Sequence, residues 1–424
     1  MSLAGEGSPS STPALADKSS DVSLAGGPIS RVTLAPGGWR SFFALDLLDN
    51  RHASLHGLRV LAIVSVLQYH VTAIYTQEAG IKLDSRWAES SMTIFFGMDL
   101  FFFLSGFLIG AILLRSIEVE KRQNVRRFYL RRVFRTFPSY YVVLTFLALT
   151  MTLSAAQHHN LLYEYTYTTN YTSLRRHDVV MFWGWSLALE EQFYLTVPLF
   201  LFALSRLRSD RARAVLLALV WVSALVVRLW YYRAHRPFTD LQLYDQIYFR
   251  TKTRFDPLVA GIFLAFIQHR WREPIGRWLS HPKHRAMVAL PTLACLWFLV
   301  DPTIAGEGNL QVAHLFLWGT VTSLFYVGTL LLVLHGHGWI PAFLSAPIFR
   351  RIATLGYGVY LVHIPIADHV LVPIAKRLQA QHASMLWVWP ASVAALVVLS
   401  LALAYALHVF VEKPSLRVRD RLAA

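Results

Sequence analysis

Cysteine is almost missing from this chain. Cys295 is the single thiol in 424 residues, so no internal disulfide can form, and its apolar surroundings suit a thiol that packs as a small hydrophobe. Charge is scarce as well. Asp, Glu, Lys and Arg make up 15% of the residues, against roughly a quarter in soluble globular domains, which excludes an ordinary soluble fold. Acid is the scarcer sign, with 25 acidic residues against 40 basic ones and a formal net charge of +15. The first residues lack the basic start and apolar core of a secretory signal peptide, so the first apolar span is expected to direct insertion. No internal repeat is legible, and no appended soluble domain is expected.

What the chain has instead is apolar length. Hydrophobic residues are 55% of the total and fall in long runs such as LVVLSLALAYALHVFV. Apolar runs of about 18 or more residues read as membrane spans. The expected fold is therefore all-α, a polytopic integral membrane bundle of about ten transmembrane helices, at roughly 55–77, 92–114, 136–156, 180–204, 213–232, 255–268, 286–300, 312–334, 354–375 and 386–411. The sixth is short for a span. An even number puts both termini on one side.

The distribution of Lys and Arg says which side. Residues 115–135 carry eight and 269–285 carry five, whereas the opposite loops 157–179 and 376–385 carry two each. The positive-inside bias then makes both termini cytoplasmic, in a multi-pass protein of the cell (inner or plasma) membrane. The positive charge is a topology signal with some attraction to anionic lipid, and nucleic-acid binding is not expected. Residues 1–45, rich in Ser, Gly, Ala and Pro, cannot bury enough apolar surface to order and are expected as a disordered cytoplasmic tail. A membrane domain over 46–415 and a basic cytoplasmic tail over 416–424 complete the chain.

Ionisable groups inside apolar spans are costly and often functional. LRVLAIVSVLQYH places Arg59 and His70 eleven residues apart, about 20° from three full turns, so they share one helix face about 17 Å apart. Singly, Arg59 reads equally well as a snorkelling anchor and His70 as a packing hydrogen bond; as a pair on one face they point to a lined cavity. FWGWSLALEEQFYLTVPLF carries adjacent Glu190 and Glu191, with Trp185 and Ser186 one turn before. A carboxylate at that depth either finds a partner, which can be purely structural, or goes neutral. His363 lies inside another span beside Pro365, and Arg254 precedes FDPLVAG at the outer end of the sixth. No paired Gly/Pro-broken segments recur in matching halves, which disfavours a proton-coupled transporter.

LHGLR followed by His70, FFGMDLFFFLSGFLIG, FYLRRVFRTFPSYY, WSLALEEQFYLTVPL, DPLVAG, YLVH and FVEKP occur in this order between about residues 54 and 415. Together they resemble the acyltransferase-3 family of integral membrane acyltransferases. One departure is His56, where that family usually has Asp before Gly-Leu-Arg. The resemblance implies an enzyme that moves an acyl group, commonly acetyl from acetyl-CoA, to a hydroxyl of a carbohydrate or of another extracytoplasmic or lipid-linked acceptor. A macrolide-like small molecule or a lipid is the alternative acceptor. No metal and no permanently bound cofactor are expected, acyl-CoA being a substrate.

Roles follow from that implication. His70 is expected as general base or transient acyl carrier. Arg59 serves the donor, and Glu190 orients the imidazole. Arg131, Arg132 and Arg135 of the basic loop pair with donor phosphates. The acceptor enters past Arg254 and Trp185, with Ser186 and His363 lining its path, and a sugar stacks on Trp185 or Trp183.

Overall fold

Apolar composition alone dictates helices here, because backbone groups placed in lipid must bond within their own segment. The structure, a computed structural model, describes residues 43–50, 52–83, 97–118, 125–234, 244–301 and 309–422. Among them there is no strand. The expectation for residues 1–45 falls almost wholly outside the described residues, as do Lys121 and Arg122 of the basic loop.

The main helices are α1 (Ser54–Ala73), α2 (Gly97–Glu118), α3 (Val125–Thr150), α4 (Ala155–Tyr165), α5 (Trp185–Ser205), α6 (Asp210–Ala234), α7 (Asp256–Leu279), α8 (Pro282–Val300), α9 (Asn309–Leu334), α10 (Pro347–Ile366), α11 (Met385–Leu407) and α12 (Lys413–Leu422). Each of the ten expected spans coincides with a helix. Eight helices among the described residues are long and apolar enough to cross a membrane. The other two are α7 and α8. The short sixth span turns out to be the first part of α7, which continues past a non-helical Trp271 (φ −131°). Its second part, with Arg272, Glu273 and Arg277, lowers the average hydropathy and hid the helix from a sequence reading. Residues 416–422, expected as tail, belong to α12.

Bundle packing rests on close approaches that only small residues allow. A Cβ on Gly106 would stand 2.0 Å from the Leu258 carbonyl oxygen, and one on Gly261 would stand 2.1 Å from that of Phe103. The backbones of α2 and α7 therefore touch at two levels. Gly106→Ala is expected to force the two helices apart and to cost about 1–3 kcal/mol, read as a lowered unfolding temperature in detergent.

Residues 45–50 run along the base of this bundle. The Asp46 amide donates to His408 Nε2 and the Leu48 amide to Thr354 Oγ1, both at 3.3 Å, and Arg350 Nε donates to the Leu48 carbonyl at 2.6 Å. The sidedness has its own check. Reporter fusions at residue 165 and after residue 422 are expected to report opposite sides of the membrane; the same side for both would rule out this topology.

Candidate functional site

α1 carries Arg59 and His70 to opposite ends of one helix, about 17 Å apart along the axis. At the His70 end, α10 delivers His363, fully buried. His363 Nε2 lies 3.0 Å from His70 Nδ1, and His363 Nδ1 lies 2.6 Å from the Tyr360 carbonyl. A carbonyl only accepts, so His363 Nδ1 carries a hydrogen. Its Nε2 is then the acceptor for His70 Nδ1–H, and the lone pair of the His70 ring is left on Nε2. Tyr360 is itself held: its hydroxyl donates to the Trp183 carbonyl at 2.9 Å and meets Ser186 Oγ at 2.6 Å. Phe182 packs edge-on to His70, with ring centres 6.5 Å apart. The chain thus fixes the tautomer of one histidine through a second, and the second through a buried tyrosine.

At the other end, Arg59 lies within electrostatic reach of Arg132, Arg135, Tyr194 and Glu190. Glu190 accepts hydrogen bonds from the hydroxyls of Ser105 and Tyr194. Arg132 stacks on Tyr194, 5.0 Å from the ring centre, and Glu412 is the acidic group that acts on Arg135. Three guanidinium groups therefore converge, with the carboxyl groups of Glu190, Glu412 and, near Arg132, Glu191 on hand. Guanidinium forks gathered in this way suit an anionic ligand.

The sequence-derived site residues divide accordingly. The structure brings His70 to His363, and Arg59 to Glu190, Arg132 and Arg135. It does not bond Glu190 to His70: the carboxylate is held by Ser105 and Tyr194, and the imidazole finds His363 instead. Arg131 turns to the surface, toward Arg419 and Asp420 of α12. Trp185 is 8% exposed and packs among Phe102, Tyr248 and Phe249. Arg254 is buried in an ion pair with Asp99 at 2.5 Å, and Trp318 Nε1 donates to the same carboxylate at 2.7 Å. Neither Trp185 nor Arg254 stands at an entrance. Ser186 supports Tyr360. His56, in the first turn of α1, donates Nε2–H to the Asp49 carbonyl at 3.1 Å.

Sequence reasoning missed Tyr360, Tyr194, Ser105 and a stretch beyond the membrane that frames the histidine pair. Residues 176–181 are splinted by α4. Gln157 Nε2 donates to the carbonyls of Arg176 and Val179, Ser154 Oγ to that of His177, and Asn160 Nδ2 to that of Asp178. Glu164 accepts the amides of Val180 and Met181. An irregular loop is bonded by one helix face, which fixes the direction in which Phe182 and Trp183 leave it.

Burial pushes the Glu164 carboxyl up to about 7 despite its two amide donors. A carboxyl raised on folding holds more protons folded than unfolded between its two pKa values, so stability falls as pH rises from about 4.5 to about 7 and is level above. Glu164→Gln keeps an acceptor oxygen and removes the ionisation. Its unfolding temperature is expected to lose that downward slope with pH, which a series of melts from pH 5 to pH 8 measures.

A family model described as an acyltransferase domain matches residues 52–409. Among curated proteins, the chain is 28% identical over 336 residues to the peptidoglycan O-acetyltransferase OatA of Listeria monocytogenes, covering 74% of this chain and 49% of that protein. It is 28% identical over 387 residues to YrhL of Bacillus subtilis, provisionally named for the same activity, covering 85% and 54%. A provisionally named O-acetyltransferase of Staphylococcus aureus is 25% identical over 337 residues, covering 74% and 50%. The chain thus spans about half the length of these relatives. No solved structure matches.

Proposed function

The chain belongs to the acyltransferase-domain family, and from that premise we propose that it moves an acetyl group from acetyl-CoA to a hydroxyl of a carbohydrate acceptor, within the cell membrane. The observation that carries the reading is the His363–His70 hydrogen bond, which leaves His70 Nε2 as a free base inside the bundle. The relatives named for peptidoglycan O-acetylation support the acetyl group and the carbohydrate.

In this reading the donor enters from the cytoplasmic end, its diphosphate among Arg59, Arg132 and Arg135. The extended pantetheine arm runs along α1, whose Arg59–His70 separation of about 17 Å suits its length. His70 Nε2 takes the proton of the acceptor hydroxyl as the oxygen attacks the thioester carbonyl. The carbon–sulfur bond then breaks, and the departing thiolate recovers the proton. His363 keeps Nε2 of His70 unprotonated and aimed, and spreads the charge of the imidazolium that forms, the task a carboxylate performs in hydrolase triads. If His70 carries the acetyl group itself, the same lone pair forms the bond and the acceptor oxygen resolves it.

The decisive experiment supplies radiolabelled acetyl-CoA to the purified chain with a panel of saccharides, lipids and macrolide-like alcohols. Label in a saccharide supports the reading; label confined to a lipid or a macrolide overturns the carbohydrate assignment. In the same assay Arg132→Ala/Arg135→Ala is expected to raise the donor KM about 10-fold or more with little change in kcat. Phosphate contacts far from the reacting carbon act on ground and transition states alike. An unchanged donor KM in the folded double variant removes these residues from the donor site.

A further inference from the structure

Opposite the arginine end, two carboxylates from different helices close on one guanidinium. Glu78 ends the π-helical turn Ile74–Glu78 that follows α1, and Asp368 lies in the π-helical turn Ala367–Leu371 that follows α10. Such turns re-aim side chains and concentrate at functional sites. Arg176 Nε meets Glu78 at 2.6 Å, and Arg176 Nη1 meets both oxygens of Asp368 at 2.8 and 2.9 Å. Its guanidinium carbon also lies 4.6 Å from the ring centre of Phe182.

Arg176, Asp368, Phe182, Trp183 and Pro365 line one cleft at this end of the bundle. The cleft adjoins the histidine pair through its walls: Trp183 packs 6.4 Å from the His363 ring centre and Phe182 6.5 Å from that of His70. Trp183 is only 3% exposed, yet its indole N–H has no hydrogen-bond partner among the described residues. Arg176 Nη2 lacks one too, and Nε touches Glu78 as an ion pair without hydrogen-bond geometry. Buried donors are nearly always satisfied, so two left open on one cleft call for an oxygen-bearing occupant.

The chemistry narrows that occupant. Asp368, held by Arg176, retains lone pairs that accept hydroxyl hydrogens. The indole N–H and Arg176 Nη2 donate to ring, hydroxyl or amide oxygens. The faces of Phe182 and Trp183 cover the apolar C–H side of a ring. Two carboxylates against one guanidinium leave the cluster net negative, which repels an acidic sugar. We propose that this cleft is the acceptor subsite for an uncharged, hydroxyl-bearing sugar ring, and that Asp368 and Trp183 set that preference. The substrate class rests on the carbohydrate-transfer reading above; the subsite itself is open to a binding test that needs no turnover.

The test uses the full chain in lipid nanodiscs without acyl-CoA, probed by saturation-transfer NMR with diacetylchitobiose, cellobiose and digalacturonate. The uncharged disaccharides are expected to bind, and digalacturonate at least about 10-fold more weakly. Trp183→Phe keeps the ring and removes only the N–H; Asp368→Asn keeps the shape and removes the charge. Each is expected to weaken the uncharged disaccharides at least about fivefold, as loss of one hydrogen bond allows, with the unfolding temperature held within a few degrees of the parent. Absence of disaccharide binding, equal binding of digalacturonate, or parental affinity in both variants overturns the proposal. If the disaccharides bind as expected but receive no label from acetyl-CoA, the transfer reading fails and the subsite stands. If saccharides are labelled while both variants bind normally, the transfer reading stands and the subsite fails.

Discussion

His70→Ala is expected to lower acetyl transfer per folded molecule at least about 10²-fold in kcat, the contribution of a positioned general base, while the protein remains inserted and folded. The side chain is half-buried, so removing it opens no large cavity and leaves one buried acceptor, His363 Nε2, without its donor. His363 loses that one donor and keeps its own bond to the Tyr360 carbonyl. His363→Gln is expected to fall between the parent and His70→Ala, because it leaves the base in place and loosens only its aim and its tautomer. The measurement is single-turnover transfer on detergent-purified variants, with thermal unfolding as the control. If His70→Ala keeps near-parental turnover per folded molecule, the base must be sought elsewhere. If instead it unfolds, His70 is a packing residue.

The ordering of these two variants separates chemistry from scaffolding in a way the sequence alone could not. Arg59 and His70 were legible as a pair because a helix repeats every 3.6 residues, and a face eleven residues long can be read by counting. Most of the membrane fold was legible for the same reason, since apolar length and basic loops are local properties. The partner of His70 is different. His363 lies 293 residues away in sequence, and no local pattern says which of several intramembrane polar groups will meet. Glu190 looked the better partner because a carboxylate is the usual companion of an imidazole. Ser105 and Tyr194 hold it at the arginine end instead, where three guanidinium groups make a carboxylate more favourable than beside two neutral rings. The Arg176 cleft was illegible for another reason. Its residues come from a loop, two π-helical turns and the short 3-10 turn before α5, so neither helical nor strand periodicity marks them, and the α4 splint that orients them acts through side chain to backbone bonds.

Arg254 is an intramembrane charge with a buried partner of its own. At the outer end of a span it has the look of an acceptor contact, and its geometry is that of a strut. Its guanidinium is 2% exposed and pairs with Asp99, which is fully buried and also accepts Trp318 Nε1–H. Tyr248 covers the cation from the side, 4.4 Å from its ring centre. Removing one member of such a pair leaves the other charge buried and alone, which costs about 3–5 kcal/mol. Arg254→Ala is therefore expected to lower the unfolding temperature by many degrees or to prevent accumulation of folded protein. Replacing both members by apolar residues of similar volume, Arg254→Met with Asp99→Leu, removes both desolvation penalties and is often neutral. The double variant is expected to recover most of the lost stability, short of the contribution of the Trp318 bond, and with it transfer per folded molecule within a few fold of the parent. An acceptor-binding Arg254 predicts the opposite pattern, a stable double variant with a raised acceptor KM. Thermal unfolding together with acceptor kinetics on the parent, the single and the double variant decides between a strut and a substrate contact.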